Sequence, residues 1–174
     1  MMDSPVKNQK LKALSQLAKE ITANQNCWLF PKETEIGGFF GVDPIVIVGD
    51  QPSTSAWEED HPHRRIFYDT LKKVGASNAH LTDLYKRRGY SGELQNGLPQ
   101  DFQSHLKYFR RELAILNPTR VVAIGWLAYN LLRSHLSELN PILGRMWHFS
   151  YVGRSGKAHL YEDHMRRAIW RTQT

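Results

Sequence analysis

Two short apolar runs, Pro44-Ile45-Val46-Ile47-Val48-Gly49 and Arg120-Val121-Val122-Ala123-Ile124-Gly125, set the strongest limit on what this chain can become. Neither run alternates apolar with polar residues, so neither suits a strand with one wet face. Each reads as a strand buried on both faces. A sheet covered on both sides needs helices between its parallel strands, and the surrounding sequence supplies them. Ile66, Phe67, Thr70, Leu71 and Val74 share one helical face, closed by Gly75. Phe102, Leu106, Phe109 and Leu113 do the same over about Gln100 to Leu116, where Asn117-Pro118 ends the helix. Gly125 opens a helix running to roughly Ser137, and a last one spans about His159 to Arg171. Ala79 to Tyr85 reads as another strand, and residues 144–150 as a fourth strand with its C-terminal loop. Residues 1–43 form a helical lead-in, with Leu11, Leu14, Ala18 and Ile21 on one face before an irregular aromatic and Gly-rich connector. The expected fold is α/β, a three-layer α/β/α arrangement around a central four-stranded parallel sheet, with residues 1–174 forming one domain.

Composition narrows the class. Apolar residues make up 41% and charged residues 23%, values of a folded globule rather than a disordered chain. No apolar run reaches the roughly 20 residues of a membrane span, and the N-terminal MMDSPVKNQK lacks the apolar stretch of a signal peptide. Cys27 stands alone, which excludes an internal disulfide and a cysteine-ligated iron–sulfur cluster or structural zinc site. A cytoplasmic protein with no membrane partner is expected. The 23 Lys and Arg against 17 Asp and Glu give a charge of +6, suited to a polyanionic partner such as DNA.

In parallel α/β sheets the chemistry collects beyond the carboxyl ends of the strands. Those ends here bring Gly49-Asp50-Gln51-Pro52-Ser53, Thr82-Asp83-Leu84-Tyr85, Gly125-Trp126 and Trp147-His148-Phe149-Ser150 together. A carboxylate at one strand end and a histidine at another can supply electrostatic and acid–base chemistry. The plainer reading is that Asp50 forms a turn and His148 is a surface or satisfied core residue.

The order of these segments resembles the uracil-DNA glycosylase superfamily, especially its compact mismatch-type branch and its iron–sulfur branch, here without the cluster cysteines. Gly49-Asp50-Gln51-Pro52-Ser53 resembles the first motif, Gly-x-x-Pro followed by a small or aromatic residue, and Phe67 to Gly75 looks like the helix after it. Leu81-Thr82-Asp83-Leu84-Tyr85-Lys86-Arg87 is similar to the family's second strand, usually Ile-Thr-Asn, two hydrophobic residues and Lys. Asn117-Pro118-Thr119-Arg120 through Gly125 matches its polar, basic and buried-strand segment, and His148-Phe149-Ser150 sits where His-Pro-Ser would be. The likeness covers about residues 44–170.

The resemblance implies a DNA glycosylase that flips a deaminated or modified base out of the strand and hydrolyses its N-glycosidic bond, with no cofactor. On that reading Asp50 stabilises the oxocarbenium-like sugar and positions water, while His148 donates to the departing base. Gln51, not Asp50, holds the position of the catalytic Asp or Asn in other branches. Asp83 replaces the Asn that reads uracil. An ionised carboxylate accepts but cannot donate, so weak uracil selectivity and a base presenting a donor group are expected. The competing role for Asp83 is capping a neighbouring amide. Phe149 replaces the usual Pro and loosens that loop.

Further candidates complete the expected site. Trp57 or Phe67 would stack on the flipped base, although both also suit the core. Ser53 and Ser150 would contact DNA. The segment from Tyr151 to Lys157 is read as a loop wedging into DNA, with Arg154 and Lys157 on phosphates and Tyr151 stacking, or else as a plain Gly-containing surface loop. Lys86, Arg87 and Arg88 are candidate phosphate contacts, with a solvated basic face as the bland reading. His61-Pro62-His63 beside Glu58, Glu59 and Asp60 does not make a specific metal site, because Pro62 separates the two rings. Two alternatives stand beside the enzyme: a non-catalytic nucleic-acid-binding module of the same fold, and a serine esterase. The esterase is disfavoured because Ser53 lies beyond a proline and no Asp-x-x-His follows near the C-terminus. A monomer is expected.

Overall fold

A computed structural model describes residues 5–24, 26–53, 61–90 and 92–170. Helix α1 (Pro5–Thr22) leads into strand β1 (Ile45–Gly49), and α2 (Pro62–Lys73) connects to β2 (His80–Asp83). Helix α3 (Phe102–Leu116) precedes β3 (Arg120–Ile124), which passes directly into α4 (Gly125–His135). Strand β4 (Leu143–Met146), the short α5 (Phe149–Arg154) and α6 (Ala158–Trp170) follow. The four strands are all parallel in the order β2-β1-β3-β4. The chain steps from β1 to β2 on one side and to β3 on the other, so the order reverses at β1 and β3. Parallel sheets open a crevice at such a point, beyond the carboxyl ends of the strands.

The β-branched runs form strands because both faces are covered. Val46, Val48, Val121 and Ala123 point into one apolar cluster with Leu14 and Leu17 of α1, Phe109 of α3 and Leu132 of α4. Their neighbours Ile45, Ile47, Val122 and Ile124 point into a second cluster with Phe67 and Leu71 of α2 and Tyr161 and Met165 of α6. Helices thus cover both faces of the sheet. Each fully buried aliphatic side chain of this kind contributes about 1.5–3 kcal/mol, which outweighs any local preference of these residues. Among the described residues no helix is long and apolar enough to cross a membrane.

Several local expectations are corrected. Among the described residues of the lead-in, helix is confined to α1 and one 3-10 turn at Gly38–Phe40. Helix α2 starts a turn before its apolar face does, because His61 Nδ1 accepts the His63 N–H at 3.2 Å and Pro62 occupies the first turn. β2 ends at Asp83 rather than Tyr85. Residues 151–154, expected as the first part of a wedge loop over Tyr151 to Lys157, belong to α5.

Candidate active site

The strand ends meet around a cavity of about 190 Å³. Backbone bonds hold its walls: Leu84 N–H donates to Gly49 C=O (2.9 Å), Tyr85 N–H to Asp50 C=O (3.0 Å) and Gly89 N–H to Pro52 C=O (3.0 Å). The segment after β1 is therefore pinned to the segment after β2. Asp50, Gln51, Ser53, Asp83, His148, Ser150 and Arg154 all line this cavity, so half of the residues expected at the site converge there.

Burial pushes the Asp50 carboxyl up to about 6, partly offset by its own backbone N–H. Asp83 ends β2 directly opposite Gly49. It is 4% exposed, and its Oδ2 atom is buried with no hydrogen-bond partner among the described residues. Burial, then the nearby charge of Asp50, holds its acid well above the usual carboxylate range, against a smaller opposing pull from Lys86. The repulsion of uracil expected from the sequence is that of an ionised group. A neutral carboxyl carries one donor and one acceptor, like an amide.

His148 follows β4 and is the N-cap of α5. Its Nδ1 accepts the Ser150 N–H at 3.2 Å and lies 2.6 Å from Ser150 Oγ. A nitrogen that accepts a backbone N–H carries no proton, so the neutral ring has its hydrogen on Nε2. Burial, then the charges of Arg154 and His63, pushes this histidine down to about 4. The cavity thus combines a neutral imidazole donor with a carboxylic acid that titrates close to neutrality.

Other expected residues fall elsewhere. Trp57 lies outside the described residues, as do Glu58, Glu59 and Asp60. Phe67 is fully buried in the core, 5.2 Å from Phe149 and 6.3 Å from Phe30 between ring centroids, so it cannot stack on a base. Phe30 and Phe149 line the cavity instead. Lys86 is no phosphate contact: it is fully buried, with Nζ 2.7 Å from Glu112 Oε1 and bonded to Thr82 Oγ1 (2.6 Å) and Asp83 C=O (2.5 Å). His80 Nε2 closes the network at 3.2 Å from Glu112 Oε2. Arg87 is paired with Asp101 at 3.1 Å and Arg88 lies over the Trp28 ring at 4.8 Å; both are exposed and neither lines the cavity. Lys157 also stands off the cavity, with Nζ donating to Tyr151 Oη at 2.5 Å.

The reading from sequence missed Phe30, Tyr90, His61 and His63 as cavity residues. The histidines carried a signal, since His61-Pro62-His63 and His148-Phe149-Ser150 are the same device: an imidazole whose Nδ1 caps the amide two residues on. Phe30 had none, because it arrives from the irregular connector. Among the described residues no group of three or more His, Cys, Asp or Glu is arranged to hold a metal ion.

Two other hollows adjoin the site. One of about 310 Å³ shares Asp50, Ile124, His148, Ser150 and Arg154 with the cavity and extends it past Gln95, Trp126 and Tyr151. A larger one of about 540 Å³ lies against α2, where Arg64 pairs with Glu33 at 2.6 Å and Lys72 with Glu35 at 3.5 Å. Its charges balance and it contains no strand end, so its size does not make it the reactive centre. No protein-family model matches the chain, and no curated protein matches it.

Proposed function

We propose that this protein is a DNA glycosylase of the uracil-DNA glycosylase type, excising a deaminated or modified base. The observation that carries this reading is the meeting of Asp50 and neutral His148 in one strand-end cavity with a buried Asp83 whose Oδ2 has no hydrogen-bond partner among the described residues. N-glycosidic cleavage separates a positive sugar from a negative base, so it needs two stabilisers of opposite sign. Asp50, ionised above about pH 6, faces the developing cation and orients the attacking water. His148 donates Nε2–H to an oxygen of the leaving base, held in that tautomer by the Ser150 amide. A preorganised donor of this kind commonly accounts for a factor of about 10²–10³ in rate.

Asp83 reads the base. As a neutral acid it offers one O–H donor and one acceptor, the pattern that matches a ring N–H beside a carbonyl oxygen, as in uracil or hypoxanthine. Phe30 and Phe149 supply apolar walls for the ring. A second reading, a nucleic-acid-binding protein with little catalysis, is favoured by Gln51: its amide donates to Glu93 at 3.2 Å and offers no base where other branches carry Asp or Asn.

A base-release assay separates the two. Oligonucleotides carrying uracil, hypoxanthine, xanthine or only ordinary bases are incubated with the purified protein, and abasic sites are revealed with alkali. Release lost in both Asp50→Asn and His148→Ala supports the enzyme. No release from any substrate, with DNA binding intact, supports the binding module.

A further inference from the structure

We propose that Trp126, backed by the Arg145 guanidinium, is a stacking platform for the base adjacent to the flipped one, which makes single-stranded DNA the preferred substrate form; this rests on the glycosylase reading. Trp126 stands in the first turn of α4 and is 60% exposed, a large apolar area left in water at the border of the site. It is nevertheless held in place. The Arg145 guanidinium lies 3.6 Å from its ring centroid, and Tyr129 meets it edge-on at 5.8 Å. The exposure therefore falls on the indole surface that Arg145 and Tyr129 leave uncovered. Trp126 also lines the hollow continuous with the cavity through Asp50, His148 and Arg154.

A base one nucleotide away from the flipped one can reach that hollow. In a duplex, flipping frees only the face that looks into the gap inside the stack, while the other face stays stacked and the edge stays paired, so an indole at the border of the site finds no free face to meet. In a single strand the face is free, and a planar ring with a cation behind it is a sequence-tolerant partner for it. The segment expected to pry a duplex apart does not project as a loop: Tyr151 to Arg154 belong to α5, and the Tyr151 hydroxyl is tied to Lys157. Arg145, Arg154 and Lys157 add positive charge along this border, complementary to a sugar–phosphate backbone.

The test is equilibrium binding by fluorescence anisotropy, using the full chain and a short labelled oligodeoxynucleotide as a single strand and as a duplex. Trp126→Ala is expected to weaken single-strand binding by about tenfold or more, the size of one lost base–aromatic stack, and duplex binding by no more than about twofold. Trp126→Phe is expected to keep most of the single-strand affinity, and its unchanged melting temperature controls for folding. Unchanged single-strand binding in Trp126→Ala, or an equal loss on both forms, overturns the proposal. The binding measurement requires no chemistry, so the two readings fail separately. Trp126-dependent binding by a protein that releases no base keeps the platform and removes the glycosylase. Base release by a protein whose binding ignores Trp126 does the reverse.

Discussion

Gly49 and Asp83 face each other at the ends of β1 and β2, so close that a Cβ on residue 49 would overlap Asp83 Oδ1. The absence of a side chain at position 49 is what lets a carboxyl stand at the floor of the cavity. Gly49→Ala is expected to push that carboxyl aside or part the strands, destabilising the fold by about 1–3 kcal/mol and lowering base release at least tenfold. Asp83→Asn keeps one donor and one acceptor in the same shape, and is expected to retain release of uracil, whereas Asp83→Ala abolishes selection among bases. Urea denaturation and release assays on the three variants check this.

His148 does two things through two nitrogens, and substitution can separate them. Asn at position 148 retains an acceptor for the Ser150 amide but has nothing in place of Nε2–H. His148→Asn is therefore expected to lose about 10²–10³ in release rate with little change in stability. His148→Ala loses the cap as well, at a further cost of about 1 kcal/mol by chemical denaturation.

The raised Asp50 acid sets the pH behaviour. Release is expected to rise with pH and level off above about 6, with that acid limb missing from the residual activity of Asp50→Asn. Stability runs the other way. The folded protein holds this proton more tightly than the unfolded chain, so the contribution is complete below about pH 4 and is lost as pH rises through about 6. For a shift from 3.8 to about 6 the loss is about 3 kcal/mol at most. Comparing wild type with Asp50→Asn across this window isolates the contribution from that of other groups.

Lys86 and Glu112 form an ion pair with both side chains fully buried. Burial works to raise the Glu112 acid, but Lys86 and His80 overcome it and the group lies below its usual range. Removing one partner strands the other. Lys86→Met and Glu112→Leu are each expected to destabilise by about 3–5 kcal/mol, and the double variant by clearly less than their sum. A double-mutant cycle by urea unfolding measures the coupling.

The runs at 45–49 and 120–124 were legible as strands because burial on both faces leaves a continuous apolar signature, and the sheet's parallel pairing followed from the helices between them. The convergence of Asp50, Asp83 and His148 was legible too, since strand ends of a parallel sheet must gather at one edge. Lys86 was misread because a basic triplet carries no mark of which member turns inward; its partner Glu112 lies on α3, far along the chain. Phe67 sat at the right helical spacing for both core and site, and only packing between Phe30 and Phe149 decides between them. The state of Asp83 could not be read at all, because burial and the nearness of Asp50 are properties of the folded chain.

Since the Ser150 amide is held by the unprotonated face of His148, the first turn of α5 and the charge of that imidazole are one equilibrium. The deuterium uptake of a single backbone amide therefore reports whether the histidine is neutral: slow while Nδ1 keeps its lone pair, faster once a proton takes its place. A ligand that engages Nε2 would change the same readout without touching α5.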